Sequence, residues 1–224
     1  LSADGSFTAE LTVSKALLES KLAGRSLDDL NAGIYTYAGS GANVAAYETF
    51  TPITFKAAGP AKAKVSVSKT EFDADKDYTI TVTGSGFDPA LATGTRPPLS
   101  GTAAGSYVVF GGFEKNWEPT KGNGSDKRPV NAGQKWAVLA DDMATIGGPK
   151  AGAVELTPEG TFTAKLEVSK ELIEEKAAEK SLSLKDLKVG IFTYSFSCND
   201  AAATEIYTPL TFEGEFKNPP TNPT

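Results

Sequence analysis

The chain has 224 residues, 40% hydrophobic and 9% aromatic, enough apolar material for one or two packed domains. A net charge of −6 disfavours a nucleic-acid partner, which needs a basic face, and no apolar run is long enough to span a membrane. Histidine is absent and Cys198 is the one cysteine, which excludes Ser-His-Asp and Cys-His catalysis, histidine-ligated haem, nearly all catalytic zinc sites and an internal disulfide.

In chain order, the first feature is self-similarity. The opening LSADGSFTAELTVSKALLESK is matched from Leu156 by LTPEGTFTAKLEVSKELIEEK, pairing Gly5 with Gly160 and Phe7 with Phe162 at an offset of 155. A two-residue insertion near Ser183 moves the offset to 157, at which Gly33-Ile34-Tyr35-Thr36-Tyr37 meets Gly190-Ile191-Phe192-Thr193-Tyr194. Phe50-Thr51-Pro52-Ile53-Thr54-Phe55 likewise meets Tyr207-Thr208-Pro209-Leu210-Thr211-Phe212. A period this long is a whole domain, not a solenoid unit. The expected organisation is residues 1–59 as the C-terminal half of a first repeat plus a joint of small residues, 60–214 as a complete repeat, and 215–224 as a Pro-rich linker. The front half of the first repeat is expected upstream of Leu1, and residues 1–56 are not expected to fold alone.

Lys64–Ser68 and Tyr78–Thr83 alternate apolar and polar residues, the period of half-buried strands, and Gly84-Ser85-Gly86 is expected to end the second. Tyr107–Phe110 and Trp136–Leu139 are short apolar strands on either side of a polar loop, Glu118–Gly133. Thr157-Pro158-Glu159-Gly160 is a turn before a strand, Phe162–Val168, whose alternate residues face one way. Phe7 and Phe162 are expected to be equivalent core residues. Ser169 caps a short helix with Leu172, Ile173 and Ala177 inward and Glu171, Glu174 and Glu175 outward. Val189–Tyr194 is a strand, and Pro209 confines the last strand, Glu205–Phe212, to an edge or a bulged position. The implied fold is mainly β: an antiparallel immunoglobulin-like β-sandwich in repeats, with one short connecting helix per repeat.

Val65-Ser66-Val67-Ser68 followed by Thr79–Phe87 resembles the opening of neocarzinostatin-like immunoglobulin folds, as does the acidic-Gly turn followed by a strand, a short link, Val189-Gly190-Ile191 and a last strand. More closely, residues 64–87 and 154–213 resemble the immunoglobulin-like repeats of actinobacterial secreted and cell-wall proteins. Neocarzinostatin-type members carry two disulfides and this chain has one cysteine, so the resemblance implies the fold and not chromophore carriage. It implies an extracellular, surface-associated, non-enzymatic protein: a spacer, adhesin, or coat or fibre subunit. Its partners would be other repeats, other copies of the chain, or a wall polymer.

The alternative is a small-molecule or glycan-binding module using the segment 89–152, with Trp117, Lys121, Lys127 and Arg128 as ligand-binding residues: an aromatic face beside a local basic group on an acidic protein. The competing role for that segment is to shield a sheet edge. No metal or cofactor is expected. Asp73-Ala74-Asp75-Lys76-Asp77 opens like a calcium loop, but Tyr78 and Gly84 occupy the positions that need glycine and glutamate. Tyr35, Tyr37 and Tyr194 alternate in strands and read as packing residues rather than haem ligands, and Asp141-Asp142 as surface charge. Cys198 corresponds to Gly41 in the first copy and is left unassigned.

Overall fold

The computed structural model describes residues 2–13, 17–18, 21–22, 27, 30–55, 62–196 and 201–217. The joint Lys56–Ala61, Cys198 and the tail from Asn218 lie outside the described residues. The chain divides into two compact units, Leu1–Gly59 and Pro60–Thr224, and is mainly β.

In the Leu1–Gly59 unit, β1 (Gly33–Thr36) and β2 (Thr49–Pro52) form an antiparallel hairpin that places Gly33 opposite Pro52 and Tyr35 opposite Phe50. Residues 7–13, matched in sequence to a strand of the second unit, form no strand here, and Phe7 is 64% exposed. Its expected equivalence to a core phenylalanine therefore fails in this unit. A strand needs a neighbour to pair its backbone and bury its face, and no strand among the described residues is paired with residues 7–13.

The Pro60–Thr224 unit holds β3 (Lys64–Val67), β4 (Glu71–Phe72), β5 (Tyr78–Ser85), β6 (Ser106–Phe113), β7 (Val130–Val138), β8 (Ala153–Glu155), β9 (Phe162–Val168), a helix (Lys170–Ala178), β10 (Lys188–Ser195), β11 (Ile206–Pro209) and β12 (Thr211–Phe212). They form a three-stranded sheet β3-β5-β9, a five-stranded sheet β11-β10-β6-β7-β8 and a two-stranded pair β12-β4. Most neighbours are antiparallel, but β7-β8 and β12-β4 run parallel, a departure from the all-antiparallel expectation.

Strict alternation sends Phe162, Ala164, Leu166 and Val168 of β9 inward with Ile80 and Val82 of β5. They join one apolar cluster with Val108, Phe110, Ala137 and Ile191 of the five-stranded sheet and with Ile173 and Ala177 of the helix. Gly84 does not end β5. It pairs with Phe162, whose ring would lie 2.1 Å from any Cβ there, so the glycine carries the strand past an aromatic ring. Gly160, at φ +77°, turns the chain into β9 where a Cβ would meet the Phe87 carbonyl carbon at 2.8 Å. Pro209 ends an edge strand as expected. The expected single last strand is instead split: Leu210 N donates to Val189 O (3.1 Å), then Thr211 N donates to Thr70 O (2.8 Å), so the chain crosses from one sheet to the other.

The Ser169 hydroxyl caps the helix, accepting from Leu172 N at 3.2 Å. Glu174 is not on an exposed face as expected. Its side chain is 9% exposed and forms an ion pair with the equally buried Lys170 at 2.5 Å. It also accepts from Lys217 N at 2.8 Å, and Phe216 lies 5.5 Å from Lys170 Nζ. Phe216 and Lys217, expected within a linker, are thus docked on the helix, and Glu215 beside them pairs with Lys185 at 2.8 Å.

Phe162→Ala is expected to cost about 4 kcal/mol in denaturant unfolding of this unit, as a large-to-small core change. Phe7→Ala should change stability by less than about 0.5 kcal/mol, as for an exposed site. Burial tends to raise the Glu174 carboxyl, but Lys170 and the Lys217 amide outweigh it and hold it below the ordinary glutamate value. The folded value is depressed, so the stabilisation is present above the unfolded value near 4.5 and is lost as pH falls through the folded one. Melting curves from pH 7 to pH 3 should show a steeper acid loss for the parent than for Glu174→Gln, which should also lose about 3 kcal/mol at neutral pH by leaving Lys170 buried and unpaired.

Candidate functional site

The four residues expected to bind a ligand lie in the segment Glu114–Pro129 between β6 and β7. This connection is shorter than the sequence suggested, because β7 begins at Val130 rather than near Trp136. Two 3₁₀ turns, Pro119–Lys121 and Ser125–Lys127, fold it back, and Glu114 N to Lys127 O (3.0 Å) closes its base.

The strands beneath it are apolar on both faces. Val108, Phe110 and Ile191 face the core shared with β9, while the intervening Val109, Phe113 and Phe192 face the other way. Trp117 covers that second face and is 2% exposed. Its indole meets Phe192 edge-on at 5.1 Å and lies 6.0 Å from Phe113, and Phe192 is stacked on Phe113 (4.0 Å) and on Tyr207 (4.8 Å). Trp117 is therefore part of the sheet's cover, not an open stacking platform. The segment shields a face of the sheet rather than an edge.

The three cations hold the segment together. Arg128 Nη1 donates to Trp117 O (2.7 Å) and Asn123 O (3.3 Å), and its guanidinium sits 5.2 Å from the Tyr194 ring centre. Lys121 pairs with Glu118 at 3.0 Å, and Lys127 with Glu114 at 3.0 Å and Asp126 at 3.7 Å. Glu205, which the sequence did not single out, accepts from Thr120 N (2.7 Å) and Thr120 Oγ1 (2.5 Å), fixing the segment to the residue before β11. Nothing in the local sequence of either partner signals this contact across 85 positions.

Trp136 is half-buried, donates from Nε1 to Ala104 O (3.0 Å), and packs on Tyr107 and Phe196. Burial, with the neighbouring Tyr194, pushes the Tyr107 phenol up to about 12, and burial raises Tyr194 and Tyr207 as well. Of the three tyrosines read as packing residues, Tyr194 packs against Tyr107 and Trp117, whereas Tyr35 and Tyr37 are 53% and 75% exposed. Asp73 is exposed and paired with Lys76, which holds its carboxyl below the usual range. Among the described residues no group of three or more acidic, cysteine or histidine side chains is placed to hold a metal ion, and no helix is long and apolar enough to cross a membrane.

Arg128→Ala should cost about 2 kcal/mol by leaving two carbonyls without their charged donor. It should also raise iodide quenching of tryptophan fluorescence, since Trp117 loses its tether. Unchanged quenching and stability would mean that the arginine does not hold the indole down. Comparison with protein-family models, with curated proteins and with solved structures finds no match for this chain.

Proposed function

We propose that the chain is a non-enzymatic, load-carrying spacer of an extracellular cell-wall or cell-surface protein, built from immunoglobulin-like β-sandwich repeats in series. The three- and five-stranded sheets, sharing one apolar cluster, are read as the two layers of the sandwich. The repeat reading is supported by hydrogen bonding as well as sequence. The β1-β2 and β10-β11 hairpins have the same register at an offset of 157, and Thr36 Oγ1 to Tyr47 O (2.8 Å) recurs as Thr193 Oγ1 to Thr204 O (2.7 Å).

The observation that carries the spacer reading is the parallel pairing of β4 with β12. Tension applied to the two ends of this unit pulls β4 and β12 in opposite directions along their common axis. Thr211 N–Thr70 O (2.8 Å) and Glu213 N–Phe72 O (2.9 Å) are then sheared together, whereas an antiparallel terminal pair would open one bond at a time. Phe72 and Phe212 stack at 5.2 Å beside these bonds and keep water from replacing them. The preceding β3 is a four-residue strand paired, among the described residues, only with β5, so it detaches first and passes the load to β4. The glycan-binding alternative loses its support at Trp117, Lys121, Lys127 and Arg128, since the ring is buried and the cations are engaged within the segment.

Single-molecule pulling on the chain ends tests this. The expected record has one force peak for the Pro60–Thr224 unit, followed by a length gain of about 500 Å, at no more than about 3.6 Å per released residue. Thr211→Pro with Glu213→Pro removes both donors and should at least halve the peak force. Extension without a peak, or an unchanged peak in the variant, would overturn the reading.

A further inference from the structure

The Leu1–Gly59 unit presents a face that its counterpart keeps covered. In the Pro60–Thr224 unit, β10 is paired on one side with β11 and on the other with β6, with Gly190 opposite Gly111, Ile191 opposite Phe110, Phe192 opposite Val109 and Thr193 opposite Val108. β1 carries the equivalent residues Gly33, Ile34, Tyr35 and Thr36, is paired with β2, and has no strand on its other edge among the described residues. The exposed side chains follow. Phe192 is fully buried against Phe113 and Trp117, both supplied by β6 and the segment after it, whereas Tyr35 keeps Phe50 at 4.7 Å and is 53% exposed. Tyr35, Tyr37, Tyr47 and Phe7 line a cleft of about 670 Å³. An unpaired edge beside an aromatic cleft is the site at which an added strand gains both backbone hydrogen bonds and side-chain pockets.

We infer that the Leu1–Gly59 unit is a strand acceptor, and that its occupant is a segment of the β6 type supplied by a repeat other than the Pro60–Thr224 unit. The occupant's chemistry is set by the seated example. It is an uncharged extended stretch patterned like Ser106–Phe113, running antiparallel to β1 with a glycine opposite Gly33, valines opposite Tyr35 and Thr36, and aromatic residues following to cap the Tyr35 ring. The β6 of a second copy is not available. Its Val108, Val109 and Phe110 are fully buried and the strand is bonded on both edges, to β10 and β7. This inference rests on the hairpin correspondence and not on the mechanical reading. Strand capture and the pulling record can therefore fail independently.

The test adds a synthetic peptide spanning residues 104–116, extended by two lysines for solubility, to the full chain and follows backbone amide exchange by NMR. At a peptide concentration about ten times its dissociation constant, the amides of residues 33–37 should exchange about tenfold more slowly, while those of β10 stay unchanged. The same peptide with Val109→Pro and Phe110→Pro, which lacks donors on both edges, should have no effect. No slowing at 33–37, equal slowing by the proline peptide, or protection of 33–37 without peptide together with a doubled mass in sedimentation would overturn it. The last result would place a second copy on this edge instead.

Discussion

The rest of the structure depends on a sheet that is apolar on both faces. Where β6 and β10 lie side by side, consecutive residues point to opposite sides, and Val108, Val109 and Phe110 are all fully buried. Such a sheet needs two covers. One face shares an apolar cluster with the inward residues of β5 and β9, which follow strict alternation, and with Ile173 and Ala177 of the helix. The other face takes an irregular segment, and irregular chain must satisfy its own polar groups. That requirement accounts for Lys121, Lys127 and Arg128, which bind carbonyls and carboxylates of their own segment and fix Trp117 over Phe192.

How much of this could be read in the sequence follows from the same division. β3, β5, β9 and the helix were legible because one face of each is wet, and periods of 2 and 3.6 show only when the two faces differ. The Ser169 cap and the edge position of Pro209 were legible for local reasons. The reach of β6 was not, since residues buried on both faces carry no alternation, and the start of β7, Val130-Asn131-Ala132-Gly133-Gln134, has the composition of a loop. Trp117 looked like a ligand platform because its neighbours in sequence are polar, while its neighbours in space come from β6 and β10. The buried Lys170–Glu174 pair was hidden for a similar reason: i,i+4 charges ordinarily lie on a wet helix face, and here Phe216 and Lys217 return to cover them.

The two hairpins provide an internal control on these arguments. Gly33 and Gly190 are each pressed by the facing strand: a Cβ at Gly33 would meet Thr51 O at 2.4 Å, and at Gly190 would meet Thr208 O at 2.2 Å. The same glycine, the same register and the same threonine hydroxyl bond recur in one hairpin whose outer edge has no partner strand among the described residues and in one whose outer edge is paired. The hairpin geometry is therefore set by its own residues, and a flanking strand adds burial without altering it.

The two-residue difference between the copies falls in the link from the helix to β10. There Ser181 turns the chain at φ +56°, and Ser181 N and Leu182 N are bonded back to Ala178 O and Ala177 O. Chain length can change in this link without shifting the inside-outside phase of β10, whereas one residue added within β10 would exchange its two buried faces along the whole strand. For protein engineering, the link is the natural port of entry: an epitope, a fluorophore attachment site or a cargo loop placed at Ser181–Ser183 leaves both covers of the central sheet in place.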